Sequence, residues 1–227
     1  MGENARPAER WLLAMAAIVA TSGLVFELLA ATVASWVLGD TAAQFALVIG
    51  VYLGAMGLGS LLSSALERSL SARFVQVELA IALVGGSSVA GLFALVNHRG
   101  AFRSVLFSSV LLVGTLVGME IPLLLRIVSE GQNFRGSIAK ILAFDHLGSL
   151  VGSLGFAFLL VPSVGLLRTS LLIGLCNAVV ALIACVVFYR EIRRVNVHLT
   201  AATVVLVSLC VMYAFASVIE RRLEALT

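Results

Sequence analysis

Polar residues along this chain are confined to short breaks between long apolar runs. The runs cover residues 11–38, 43–66, 74–97, 102–127, 138–162, 166–189 and 197–219, each at least 22 residues long. About 20 apolar residues, at 1.5 Å rise per residue, cross the roughly 30 Å hydrocarbon core of a bilayer. The runs are continuous and do not alternate, which predicts helices rather than the strands of a membrane barrel. The breaks carry helix-ending residues: Gly39 and Asp40, Asn97 to Gly100, Gly131 to Asn133, and Pro162 with Gly165. The pattern therefore predicts an all-α polytopic bundle of about seven transmembrane helices. It forms a single transmembrane domain over residues 1–227, with consecutive helices packing as antiparallel neighbours.

The first segment, Met1 to Arg10, is polar, with Arg6 and Arg10, and opens like a signal peptide. The apolar run that follows reaches Leu38, well beyond the ~7–15 residues of a signal h-region, and reads as a retained first helix. Composition agrees with membrane residence. The chain is 61% hydrophobic and 12% charged with a mean hydropathy of +1.11, against about 25% charged in soluble domains.

A net charge of +3 could suggest a nucleic-acid partner in a soluble protein. Here the basic residues flank the apolar runs, and no nucleic-acid-binding motif is present. The positive-inside rule accounts for them. With the N-terminus inside, the inner segments hold Arg6, Arg10, Arg68, Arg73, Arg126, Arg135, Lys140, Arg190, Arg193 and Arg194; the outer ones hold Arg99, Arg103, Arg168, Arg221 and Arg222. That bias predicts a cytoplasmic N-terminus in a plasma membrane of bacterial inner-membrane type, and a C-terminus outside if there are seven spans. Cys176, Cys185 and Cys210 lie inside apolar runs, without a CxxC or a His at metal spacing, and read as small buried hydrophobes. No metal site and no cofactor are expected.

Four acids break the apolar pattern: Glu27, Glu78, Glu120 and Asp145, the last followed by His146. An ionised carboxylate at the centre of a membrane helix costs roughly 2.5–3.5 kcal/mol even on lenient insertion scales, so such residues face a bundle interior, pair, or line a pathway. Counting from the predicted inner ends puts Asp145 and Glu120 roughly 10 Å deep, Glu78 one turn in, and Glu27 further out. Glu78, Glu120, Asp145 and His146 are thus candidates for one inner-facing cavity, with Glu27 a further candidate ligand. Pro122 has no N–H to donate, which frees the Gly118 carbonyl and predicts a kink beside Glu120. Gln44, Tyr52, Thr115 and Asn177 are expected to make interhelical hydrogen bonds.

Glycines recur at matching spacing in the second and fifth runs, as Gly50, Gly54 and Gly57 and as Gly148, Gly152 and Gly155. Each set lies in the second helix of a three-helix group whose first helix carries a buried Glu. That is the pattern of a 3+3 inverted repeat plus one helix, a design many transporters share. Chance recurrence in glycine-rich membrane helices gives the same spacing, and both readings stand at this point. In either case small-xxx-small spacing predicts that these six glycines bring helix backbones close together.

No catalytic residues are assigned. Soluble-enzyme signatures such as a phosphate-binding glycine loop after a strand, HExxH or GxSxG are missing. Several stretches do resemble a known family: SGLVFELLAATVASWVLGD (22–40), QFALVIGVYLGAMGLGSLLS (44–63), FVQVELAIALVGG (74–86), GMEIPLLLRI (118–127) and ILAFDHLGSLVGSLGFAFLLVPSVGLLRTSLLIGLCNA (141–178). They are similar to the membrane domain of the membrane-bound spermidine-synthase-like proteins, the polyamine aminopropyltransferase family. The segment near Ile219 to Glu224 matches more loosely. The resemblance implies a soluble, Rossmann-like methyltransferase-type domain after the last span, binding decarboxylated S-adenosylmethionine and a diamine. Its catalytic positions have no counterpart among these residues, so aminopropyltransferase activity is implied only if such a domain follows Thr227. A C-terminus outside would place that domain away from its cytosolic cofactor.

Two functions are carried forward. In the first, the bundle binds or conducts a cationic amine, polyamine-like, through its buried carboxylates; a proton-coupled transporter is a variant of it. In the second, the bundle is a membrane anchor or assembly subunit that docks on a protein partner or a second copy through small-residue helix faces. Lipid is the common surrounding partner, and nucleic acid is not expected.

Overall fold

The computed structural model describes residues 5–129 and 134–218, and these are all-helical with no strand among them. The Gly131 to Asn133 break and the segment near Ile219 to Glu224 lie outside the described residues. In chain order the helices are α1 (Ala5–Leu38), α2 (Thr41–Ser64), α3 (Leu70–Phe93), α4 (Arg99–Ser129), α5 (Phe134–Gly155), α6 (Val161–Val187) and α7 (Val195–Ala214). Six apolar helical stretches are long enough to cross a membrane, and one of them, Ile138–Val187, runs for 50 residues. That stretch is more than twice the length of one crossing. It is divided at Gly165, whose φ of 79° and ψ of 175° belong to a region essentially only glycine occupies. A single turn of π-helix, Phe156–Leu160, joins α5 to the start of α6.

Left-handed backbone marks several of the turns between helices, at Gly39, Asp40, Ser69 and Arg194. Gly39 (φ 75°) and Asp40 (φ 46°) reverse the chain between α1 and α2. The Asp40 carboxylate then caps α2 by accepting from the Ala43 N–H at 3.2 Å. Within the helices, serine and threonine hydroxyls satisfy themselves locally. Ser22 donates to the Ile18 carbonyl, Thr32 to Leu28, Ser88 to Gly85 and Thr115 to Leu111. These back-bonds let polar residues sit in an apolar setting.

Helices α1, α3, α4 and α6 form the interior, while α2 lies on α4, α5 on α1, and α7 on α6 and α3. The outer helices turn large apolar side chains outward, among them Leu61, Phe158, Leu159 and Val204. This is the surface a lipid-facing helix presents. Cys185 is buried, but Cys176 and Cys210 are exposed rather than buried as expected. The bilayer is as apolar as a core, so hydropathy does not tell the two apart.

Chain direction can be read from the contacts. Gly148 packs on Ala17 and Gly152 on Thr21, so α5 runs parallel to α1. Tyr52 meets Gly114, Met56 meets Gly118, and Arg126 donates to the Ser63 carbonyl at 2.7 Å, so α4 runs parallel to α2. Gly174 meets Ala82, and the Ser170 hydroxyl donates to the Gly86 carbonyl at 3.0 Å, so α6 runs antiparallel to α3. These three pairings are the most extensive in the bundle, and exchanging helices 1–3 for helices 4–6 leaves them unchanged. Because α1 and α4 point in opposite directions, this is the arrangement of an inverted repeat. Helix α7 stands outside it.

The glycines divide by face. A Cβ on Gly148 would collide with the Ala17 backbone, and one on Gly152 would lie 2.9 Å from the Thr21 carbonyl oxygen. Gly50, Gly54, Gly57 and Gly155, expected at close contacts, have nothing within 4 Å of such a Cβ. The reason for α2 is angular. Its buried face is Gln44, Val48, Tyr52, Ala55, Gly59 and Ser63, and the three glycines lie on another stripe. The close approach to α4 comes through Gly59, against Thr115, and through Gly114 and Gly118 of α4, against Tyr52, Ala55 and Met56.

Candidate functional site

Four helices surround a cavity of about 520 Å³. Helices α1 and α4, which pack on each other, form its floor. Helices α2 and α5, which have no extensive contact with each other, form its sides. Exchanging the two repeats maps α1 to α4 and α2 to α5, so the cavity is lined by two symmetry-related pairs of helices.

Three of the four intramembrane acids line this cavity: Glu27 from α1, Glu120 from α4 and Asp145 from α5. No Lys, Arg or His is among its lining residues. Glu27 and Glu120 are buried, and Asp145 is partly exposed. Their convergence depends on the helix pairings above. The parallel seating of α5 on α1, through Gly148 and Gly152, puts Asp145 and Ser149 on the cavity wall, several turns of α1 away from Glu27. The seating of α4 on α2, through Gly114 and Gly118, puts Gly114 against Tyr52 and Glu120 on the cavity further along α4.

Tyr52 is 2% exposed, and its hydroxyl donates to the Gly23 carbonyl at 2.8 Å. Both residues line the cavity, as do Ser60 and Ser149. Gly118 and Pro122 line it too. Pro122 sits inside α4 and supplies no N–H, so the Gly118 carbonyl lacks its helical donor at the cavity wall. The polar lining is thus dominated by acceptors: three carboxyl groups, hydroxyl oxygens and a backbone carbonyl. Such a set suits a ligand rich in N–H donors and positive charge.

Two expected ligands lie elsewhere. Glu78 is fully buried but does not line the cavity. It stands behind Glu120, within hydrogen-bonding reach of that side chain. His146 is 83% exposed and points outside the bundle, its Nδ1 3.9 Å from an Asp145 carboxylate oxygen. Adjacent positions on a helix diverge by about 100°, so the turn that aims Asp145 inward aims His146 out. Of the secondary polar residues, Tyr52 makes the expected interhelical bond, and Thr115 bonds its own helix instead. Both side-chain polar atoms of the buried Asn177 lack a partner.

Gly59, paired with Ala55 by small-xxx-small spacing in the sequence, does make a close contact, whereas Gly114 and Gly118 were missed as contact glycines. The signal was present in Gly114 and Gly118, which have small-xxx-small spacing. Among the described residues, no three of His, Cys, Asp and Glu are grouped to hold a metal ion.

No family model matches the chain, and no solved structure matches it. Curated proteins do. The chain is 40% identical over 202 residues to a polyamine aminopropyltransferase of Leptospira interrogans, covering 89% of this chain and 41% of that protein. It is 47% identical over 167 residues to polyamine aminopropyltransferase 2 of Ralstonia nicotianae, covering 72% of this chain and 33% of that protein. It is 38% identical over 231 residues to polyamine aminopropyltransferase 2 of Streptomyces coelicolor, covering 95% and 42% respectively. The chain is therefore homologous, at moderate identity, to polyamine aminopropyltransferases, and it spans about a third to two fifths of the length of these relatives. In this chain the matched residues fall within the all-helical bundle of membrane-spanning character.

Proposed function

We propose that this bundle is a membrane domain that takes up a cationic amine of polyamine type in the cavity between its two repeats, with Glu27, Glu120 and Asp145 as charge partners. The observation that carries the proposal is the convergence of three acids, from three helices, on one cavity whose lining includes no basic side chain. A di- or polycation offsets several carboxylates at once. Its spaced ammonium groups match carboxylates that come from different helices. The names of the homologous proteins point to the same ligand class. In a protein built like those relatives, the bundle would deliver or hold an amine for an aminopropyl-transferring domain. The lipid bilayer is its surroundings, in a plasma membrane with the N-terminus on the cytoplasmic side.

The test is equilibrium binding of spermidine to the purified chain in nanodiscs, compared with Glu120→Gln and Asp145→Asn. Saturable binding that weakens strongly in both variants, with thermal stability retained, supports the amine site. Binding unchanged in both removes it.

A second reading rests on a different observation. Gly50 and Gly54 on α2 have open space beside them, with Leu61 exposed on the same helix, as in an anchor or assembly subunit that docks a partner helix or a second copy. In that case Gly54→Leu changes the assembly size seen in native membranes, and the acid-to-amide variants leave it unchanged.

A further inference from the structure

The cavity does not use Glu78, yet Glu78 is the most completely enclosed acid in the bundle. It is 0% exposed, neither carboxyl oxygen has a hydrogen-bond donor, and the side chain neighbours that of Glu120. Glu120 has its own Oε1 unpartnered while its side chain faces the cavity. Two carboxylates have no hydrogen to place between them. A hydrogen bond across this contact needs one proton on one of the pair, as in other facing carboxyl pairs.

Among the described residues, the groups around the pair place no hydrogen-bond donor on the Glu78 oxygens. From α1 comes Glu27, from α5 comes Asp145, whose charge acts on Glu120, and from α2 comes Tyr52, already committed to the Gly23 carbonyl. Arg126, further along α4, turns its guanidinium to the Ser63 carbonyl. The α3–α6 register set by Ala82 with Gly174 and Gly86 with Ser170 puts the uncharged Asn177 at the level of Glu78. Helix α7 meets α3 through Leu209, beside Gly86.

We propose that Glu78 and Glu120 hold one proton between them, and that an amine cation entering the cavity expels it, so that cation uptake is exchanged for proton release. The inference rests on the cavity taking a cation, as proposed above. The step balances. The amine's positive charge settles beside Glu120, the O–H bond of the pair breaks, and the proton leaves through the cavity to water. Two carboxylates remain, Glu120 facing the amine and Glu78 behind it. Glu78 thereby acts as a positioning residue, setting the charge state of Glu120 without touching the ligand.

Two measurements on the full chain in nanodiscs test this. Infrared difference spectra against Glu78→Gln and Glu120→Gln, with no amine present, should show a protonated-carboxyl stretch that either substitution removes or shifts. If neither variant alters such a band, the shared proton is overturned. Calorimetric titration with spermidine, in buffers of different ionisation enthalpy, should show proton release in the wild-type chain and none in Glu78→Gln, which still binds. Spermidine binding without proton release in the wild-type chain overturns the exchange and leaves the amine site standing. No spermidine binding by the wild-type chain overturns the amine site and the exchange with it. If Glu78→Gln fails to fold, proton release by the wild-type chain together with the infrared band of Glu120→Gln decides the question.

Discussion

The Tyr52 hydroxyl donates to the Gly23 carbonyl across 2.8 Å, tying α2 to α1 at the wall of the acid-lined cavity. The bond is buried, and its register is that of an antiparallel hairpin closed at Gly39 and Asp40. Interhelical hydrogen bonds in membrane proteins contribute about 0.6 kcal/mol on average and rarely more than about 1.7. Tyr52→Phe should therefore lower stability by about 1 kcal/mol. Thermal unfolding in detergent, with the wild type alongside, measures the loss.

The contact glycines should be unequal in a way their spacing does not show. Gly148→Leu drives a side chain into the Ala17 backbone, and Gly118→Leu does the same to the Met56 backbone. Both should abolish the folded bundle or reduce its yield sharply. Gly50→Ala meets nothing within 4 Å and should leave monomer stability within about 0.5 kcal/mol of wild type. Fluorescence size-exclusion profiles of the three variants distinguish these outcomes.

Within the amine-binding proposal, Glu27→Gln should weaken spermidine binding roughly tenfold or more, since removing one partner of a buried charge pair costs about 2–5 kcal/mol. His146→Ala should leave affinity within about twofold, because His146 points out of the bundle and its interaction with Asp145 is surface-exposed. Equal losses in the two variants would count against the assignment of the cavity acids.

Pro122→Ala restores an N–H to α4 and so returns a donor to the Gly118 carbonyl. The expected result is a helix at least as stable as wild type and weaker spermidine binding, since one cavity acceptor is consumed. Parallel melting and binding curves check both halves of this expectation.

Sidedness is open to a direct test. The α2–α3 and α3–α4 connections lie at opposite ends of α3, and Glu67 and His98 are exposed in them. With Cys176, Cys185 and Cys210 replaced, Glu67→Cys should react with an impermeant maleimide only from the cytoplasmic face, and His98→Cys only from the other. The reverse pattern would invert the orientation inferred from the arginine distribution.

Hydropathy alone located the helices, because a bilayer leaves the backbone few alternatives. It was weaker on azimuth. Counting residues from a helix end gives depth, so Glu78, Glu120, Asp145 and His146 could be placed at similar levels. Which way each side chain turns depends on helix pairing. The pairing brought Glu27 to the cavity in place of Glu78, and it sent His146 outside. Contacts followed the same pattern. The regular stripe Gly50, Gly54 and Gly57 was conspicuous in the sequence but packs on no neighbour, Gly57 lining the cavity, whereas Gly59 and Gly118 carry the contact. Small residues announce that close approach is allowed, and only the fold decides which neighbour uses the allowance.

The interleaving of the repeats constrains how the chain is made. The principal partner of α1 is α5, that of α2 is α4, and that of α3 is α6, so none of the first three helices finds its main partner among the other two. As the polypeptide leaves the insertion machinery, the first three helices enter the bilayer with their tightest contact faces still covered by lipid. Assembly of the core must wait until α4, α5 and α6 arrive. A chain halted after α3 would hold Glu27 and Glu78 in the membrane without the second repeat to enclose them, a form that membrane proteases and chaperones are suited to recognise.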